Sequence, residues 1–192
     1  ITGIDNQRQP RTKGELDITA NFINTRNNDP HITAWIAPTV LTVSDMQWSI
    51  HPTNLTLKNK EVTVRGFKLS NSNNRSIEIY GQISPNEEDT LNIVLDNINV
   101  KYILDLVNFN SVEFNGDASG NVNVTNILSQ PYACANIEVD NFHFNQAPLG
   151  KLTANANWGE IPHFLKLDAF IQDKENNHNT NIHGGFNLGD KS

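Results

Sequence analysis

Strict alternation of apolar and polar residues leaves this chain few ways to fold. In Glu61-Val62-Thr63-Val64-Arg65-Gly66, Val62 and Val64 fall on one side and Glu61, Thr63 and Arg65 on the other. A β-strand sends successive side chains to opposite faces, so such a run makes a strand with one dry and one wet face. Ser76-Ile77-Glu78-Ile79-Tyr80-Gly81, Leu91-Asn92-Ile93-Val94-Leu95-Asp96 and Asn121-Val122-Asn123-Val124-Thr125 repeat the pattern. Ile137-Glu138-Val139-Asp140, Phe142-His143-Phe144-Asn145 and Leu165-Lys166-Leu167-Asp168 continue it. Breakers stand between the runs at Asn71-Ser72-Asn73-Asn74, Ser84-Pro85-Asn86, Asn115-Gly116, Gln130-Pro131, Ala147-Pro148 and Asn176-Asn177. The spacing predicts an all-β chain of roughly ten to thirteen strands, each of about five to seven residues.

Helix is expected once, over 100–108, where Ile103, Leu104 and Val107 fall at helical spacing and Lys101 precedes Asp105 by four. So short a helix persists only by packing, plugging an end of the sheet. Asp96-Asn97-Ile98-Asn99-Val100 is similar to Asp140-Asn141-Phe142-His143-Phe144. An internal repeat and a coincidence in an Asn-rich alphabet both fit this match.

Composition narrows the function classes. The 192 residues carry a net charge of −7, with Lys and Arg scattered, which argues against a nucleic-acid or anionic-membrane surface. Asn fills about one position in six. No apolar stretch reaches the ~18 residues of a transmembrane helix, and no signal peptide opens the chain. The first residue is Ile, and the sequence reads as a single all-β fragment, 1–192, of a longer protein. Cys134 is the single cysteine, so no internal disulfide forms, and its small-residue surroundings predict a buried, inert thiol.

Catalytic patterns are sought and not assembled. His178 and His183 are the nearest histidine pair, but five residues along a strand point them to opposite faces, so no metal site is expected. Asp173-Lys174-Glu175-Asn176-Asn177 lacks the Gly and closing Glu of a calcium loop. Gly116-Asp117-Ala118-Ser119-Gly120 has no strand-to-helix turn for a nucleophile elbow, and its glycines suit a tight turn or a close backbone approach. Gly184-Gly185-Phe186-Asn187-Leu188-Gly189 opens no helix and binds no dinucleotide. No enzyme and no cofactor are expected.

A different order of residues carries a resemblance. It runs Asp89-Thr90-Leu91, then Leu95-Asp96-Asn97-Ile98-Asn99-Val100-Lys101-Tyr102-Ile103 and Phe114-Asn115-Gly116-Asp117-Ala118-Ser119-Gly120-Asn121-Val122. Pro131-Tyr132-Ala133-Cys134-Ala135-Asn136-Ile137 and Phe142-His143-Phe144-Asn145-Gln146-Ala147-Pro148-Leu149-Gly150-Lys151-Leu152 follow. This succession, best matched over about 89–158, resembles the TamB (translocation and assembly module) proteins of the AsmA-like superfamily in the Gram-negative envelope. The resemblance implies a slice of a periplasmic protein anchored in the inner membrane. It implies an extended antiparallel-rich sheet curled into a U-shaped, taco-like trough, phospholipid transport between inner and outer membranes, and outer-membrane protein assembly beside an outer-membrane β-barrel partner.

On that reading phospholipid acyl chains lie against Val62, Val64, Ile77, Ile79, Leu91, Ile93, Leu95, Val122, Val124, Ile137, Val139, Leu165 and Leu167. The same residues would form the core of a closed β-sandwich, which makes the same alternation by facing two dry sides together. A sandwich would suit a secreted binding module, and recurrence of the Asp-Asn unit would suit an adhesin-like structural repeat. An open trough also leaves sheet edges through which the fragment could dimerise.

Overall fold

The computed structural model describes residues 12–24, 30–43, 46–102, 113–158, 164–173 and 178–187. Fourteen strands among them form one antiparallel sheet. They are β1 (Thr12–Lys13), β2 (Ile18–Asn24), β3 (Pro30–Ile36), β4 (Thr39–Val43), β5 (Met46–Ile50), β6 (Thr53–Lys58) and β7 (Glu61–Ser70). After these come β8 (Ser76–Ile83), β9 (Thr90–Asn99), β10 (Phe114–Thr125), β11 (Tyr132–Phe144), β12 (Ala147–Trp158), β13 (Phe164–Asp173) and β14 (His178–Asn187). Residues 100–102 are helical and begin the expected 100–108 helix, whose remainder lies outside the described residues.

By pairing alone the sheet forks, because β5 and β6 both pair with β7. The register removes the fork. Ile50 pairs with Leu69 and Asn54 with Arg65, four residues further along one strand and four back along the other. Between them the His51 amide donates to Lys68 O at 2.9 Å. So β5 and β6 are halves of one bent strand. β3 and β4 are likewise one strand, since Ile36 faces Thr53 and Thr39 faces Ile50. The sheet is therefore an up-and-down meander in which every long strand lies beside its chain neighbours.

The bends share a chemistry. Ile36-Ala37-Pro38-Thr39 and Ile50-His51-Pro52-Thr53 cross each other antiparallel, the Ile of each opposite the Thr of the other. Proline has no N–H to give a ladder and interrupts both strands at one height. Each Thr hydroxyl folds back to the carbonyl two residues before it, Thr39 to Ala37 O at 3.1 Å and Thr53 to His51 O at 3.2 Å. Thr53 Oγ1 also lies 3.2 Å from Gly66 O, and its side chain is 1% exposed.

Beyond Gly66 a β-bulge replaces the break. Arg65-Gly66 lies opposite Tyr80 alone, Asp96-Asn97 opposite Ser119, and Asp140-Asn141 opposite Lys151. The second residue of each pair is left-handed, at φ 76°, 57° and 51°. Gly and Asn visit that region at least cost. The Asp-Asn similarity seen in the sequence is thus one local device used twice, in β9 and β11. Breaks and bulges make a crease across the sheet, and bulges increase strand twist.

Burial follows the crease. Ile36, Ile50, Thr53, Ile98, Ala118, Val139 and Phe142 lie beside it and are buried, while most other apolar side chains on this face are only half-buried. Among the described residues, substantial packing between strands is confined to hydrogen-bonded neighbours, and no second sheet covers the apolar face. The sheet is open and curled, which corrects the closed-sandwich alternative.

Several local expectations also change. β2 to β6 have the expected five to seven residues, but from β7 onward the strands are longer, and β10, β11 and β12 reach 12, 13 and 12. Asn115-Gly116 and Ala147-Pro148 do not separate strands, because β10 runs through the first and β12 begins with the second. Gly116 and Gly120 serve close backbone approach: a Cβ on Gly120 would lie 2.1 Å from Asn136 O. Cys134 is half-buried on the polar face between Asn123 and Asn157, not buried among the apolar residues.

Candidate apolar groove

All thirteen residues expected to line an apolar surface fall on one face. Val62 and Val64 share it with Ile83 and Gly81, their partners on β8. Ile77 and Ile79 face Leu95 and Ile93, and Leu91 and Ile93 face Val124 and Val122. Ile137 and Val139 face Ala154 and Leu152 of β12, and the row passes through Ala156 to Leu167 and through Trp158 to Leu165. Val139 is buried and the other twelve are half-buried.

The opposite face is polar and tied together. Asn123 Nδ2 lies 2.6 Å from Asn92 Oδ1, and Asn121 Nδ2 lies 3.0 Å from Asn123 Oδ1. Arg75 pairs with Asp117 at 2.9 Å and Lys151 with Glu138 at 2.7 Å. The Glu138 carboxylate raises the pKa of the Lys151 ammonium by holding its charged form. Asp168 accepts from His183 Nδ1 at 2.8 Å, and this bond lowers the Asp168 pKa. Cross-strand pairs of this kind fix register and solubility and add little to stability individually.

The apolar face deepens where the sheet curls over β10 to β14. A groove of about 690 Å³ opens there. Phe114, Phe142 and Phe144 form one wall, with ring centroids 5.7 Å apart for Phe114 and Phe142 and 5.4 Å for Phe114 and Phe144. Leu149, Leu152, Ala154, Leu167, Ala169 and Ile171 make the floor, and Ile182 and Thr180 the far side. Ala118, Val139, Phe142 and Ile171 are its buried foundation, with Val100, at the start of the helical turn, packed on them.

Of the thirteen expected lining residues only Leu167 borders this groove directly. Phe142 and Phe144 alternate in the sequence, but a parity carried from Ile137 and Val139 sets them off this face, because each bulge shifts the parity. On the inner face Val139 is followed by Phe142, as Val64 is by Phe67 and Leu95 by Ile98. The signal is an apolar pair three apart with Gly or Asn immediately before the second member.

Among the described residues no group of His, Cys, Asp or Glu is placed to hold a metal ion. His178 and His183 lie on opposite faces of β14, their partners being Asp173 and Asp168. No described helix is long and apolar enough to cross a membrane. Comparison of the chain with family models, with curated proteins and with solved structures finds no match in any of the three.

Proposed function

We propose that the chain is a non-catalytic segment of an envelope protein that shelters lipid acyl chains on its apolar face. The observation that supports this reading is a continuous apolar face that, among the described residues, no second sheet covers and that is only half-buried along most of its course. Exposed apolar area of that extent marks an interaction surface. Each methylene transferred from water to an apolar lining gains about 0.8 kcal/mol. A two-chain lipid therefore meets a barrier of tens of kcal/mol in water, and a continuous groove removes most of it without a tight site. A 12-residue strand of β10 is about 40 Å long at ~3.3 Å per residue, longer than an acyl chain spanning half a bilayer core.

The resemblance to TamB proteins gives the reading its setting: the periplasm, a parent chain anchored in the inner membrane, phospholipid as cargo and an outer-membrane barrel as partner. In this setting the free edges of the sheet are the places where copies of the fragment can pair.

Native mass spectrometry with lipid extraction tests the proposal, an unrelated β-sandwich being purified alongside. Co-purifying phospholipid that detergent displaces, absent from the control, is the expected result. A lipid-free chain that also fails to bind a hydrophobic dye sinks the reading. Val124→Asp sharpens it. Val124 is half-buried on the apolar face, so the variant is expected to fold, and in the full-length parent to impair transport.

A further inference from the structure

Three aromatic rings stand on the polar face, where they add nothing to the apolar side. Trp35, Tyr80 and Tyr132 are 42%, 43% and 36% exposed there. One row of paired residues links them. Trp35 pairs with Asn54 and Asn54 with Arg65, whose bulge lies opposite Tyr80. From Tyr80 the row passes through Asn92, Asn123 and Cys134 to Asn157, and the Tyr132 hydroxyl donates to Asn157 Oδ1 at 3.3 Å. Trp35 lies on β3, Tyr80 on β8 and Tyr132 on β11, each three strands from the next. At ~4.8 Å per strand the rings recur about every 14 Å. No charged residue lies in the row between Tyr80 and Asn157, and Arg65 and Lys166 bound that stretch.

We propose that this row binds a linear glycan of uncharged sugars laid across the strands. The site is on the face opposite the groove and does not depend on the lipid reading. A pyranose ring presents C–H groups on its faces and hydroxyls round its rim. The C–H groups stack on aromatic rings, whose faces are negative. Stacking uses the ring faces, so the tyrosine hydroxyls keep their own partners. Amides between the rings serve the sugar hydroxyls, since each Asn side chain has two N–H groups and an oxygen with two lone pairs. The bonds from Asn123 Nδ2 to Asn92 Oδ1 and from Asn121 Nδ2 to Asn123 Oδ1 take one N–H of each donor and hold the amides in a fixed array. Charge then decides among polymers. A polyanion needs a line of cations, and the stretch from Tyr80 to Asn157 has none. A neutral, periodic chain of sugars matches both the missing charge and the recurring rings.

Calorimetric titration of the intact chain with cellohexaose and with chitohexaose tests the proposal, heparin being titrated in parallel. Binding of an uncharged hexaose is expected, with an affinity that added salt leaves unchanged because no charge is screened. Tyr80→Ala should weaken it about tenfold, through the lost ring contact, and Tyr80→Phe should restore most of the loss. Phe170 is 38% exposed on the same face but in another row, between Thr153 and Asn181, so Phe170→Ala should bind as the unmodified chain does. Failure to bind either hexaose overturns the proposal, and so does binding of heparin in their place. Equal effects of Tyr80→Ala and Phe170→Ala also overturn it, since the row would then have no special part. Should Tyr80→Ala not fold, as its thermal transition would show, Tyr132→Ala decides by the same comparison.

Discussion

The amino-terminal edge of the sheet and its middle use the same alternation and reach different degrees of burial. At the amino-terminal end Phe22 is 75% exposed and Ile18 50%, though both belong to the apolar face. In the middle of the sheet Phe142 on β11 is 5% exposed and Ala118 on β10 fully buried. The crease at the first end is an interruption at Pro38 and Pro52, whereas from β7 onward it is a set of bulges with left-handed Gly or Asn. A proline break suspends the ladder, while a bulge keeps the strand hydrogen-bonded and adds twist. Ile36, Ile50 and Thr53 at the proline crossing are as buried as Phe142. The difference therefore teaches that burial on this face needs the crease and flanking strands on both sides, whereas among the described residues β2 pairs with β3 alone.

Five substitutions would break or sharpen this contrast. Gly120→Val should have the largest effect. At φ 150°, with Asn136 O where the new Cβ would go, the side chain cannot be placed without parting β10 from β11. Urea unfolding should show a loss of at least about 3 kcal/mol. The same experiment on Phe142→Ala should give about 3–5 kcal/mol, from lost burial and the cavity left behind. Phe22→Ala, on the same face at the exposed end, should cost within about 0.5 kcal/mol, as surface substitutions do. Equal losses at the two phenylalanines would remove the contrast between edge and middle.

Thr53→Val keeps the shape at the proline crossing and removes its hydroxyl, leaving Gly66 O and His51 O without that partner. A loss of about 1–2 kcal/mol is expected, read from the same unfolding curves. The smallest effect is electrostatic. The His183 bond lowers the Asp168 pKa, so its contribution to stability is present at neutral pH and is lost as pH falls through that lowered value. In His183→Ala the Asp168 carboxyl should titrate at higher pH, which carboxyl-carbon NMR would detect, with little change in unfolding at pH 7.

Much of the fold was legible because the period of two survives over most of each strand. Val62 and Val64, Ile77 and Ile79, and Val122 and Val124 all reach the apolar face that their spacing assigns. What escaped was the deepest part of the groove. A strict alternation carried from Ile137 and Val139 puts Phe142 on the wet side, and only the left-handed Asn141 returns it to the dry one. Breakers misled for a related reason. Gly116 reads as a turn, yet within β10 it lets the strand lie closely against Val139 and Asp140. Asp173 and His178, which also border the groove, were hidden as well, since they meet only through the pairing of β13 with β14.

The meander order also sets how the molecule answers a mechanical load. Each long strand is held by its two chain neighbours, and the first and last described strands lie at opposite edges of the sheet. Tension applied through the chain ends therefore runs across the strands, along the direction of their hydrogen bonds, and opens those bonds in sequence. A sheet pulled this way yields one hairpin at a time at low force, as a soft, extensible spacer. Resistance along the strands is different, because there whole ladders must shear at once.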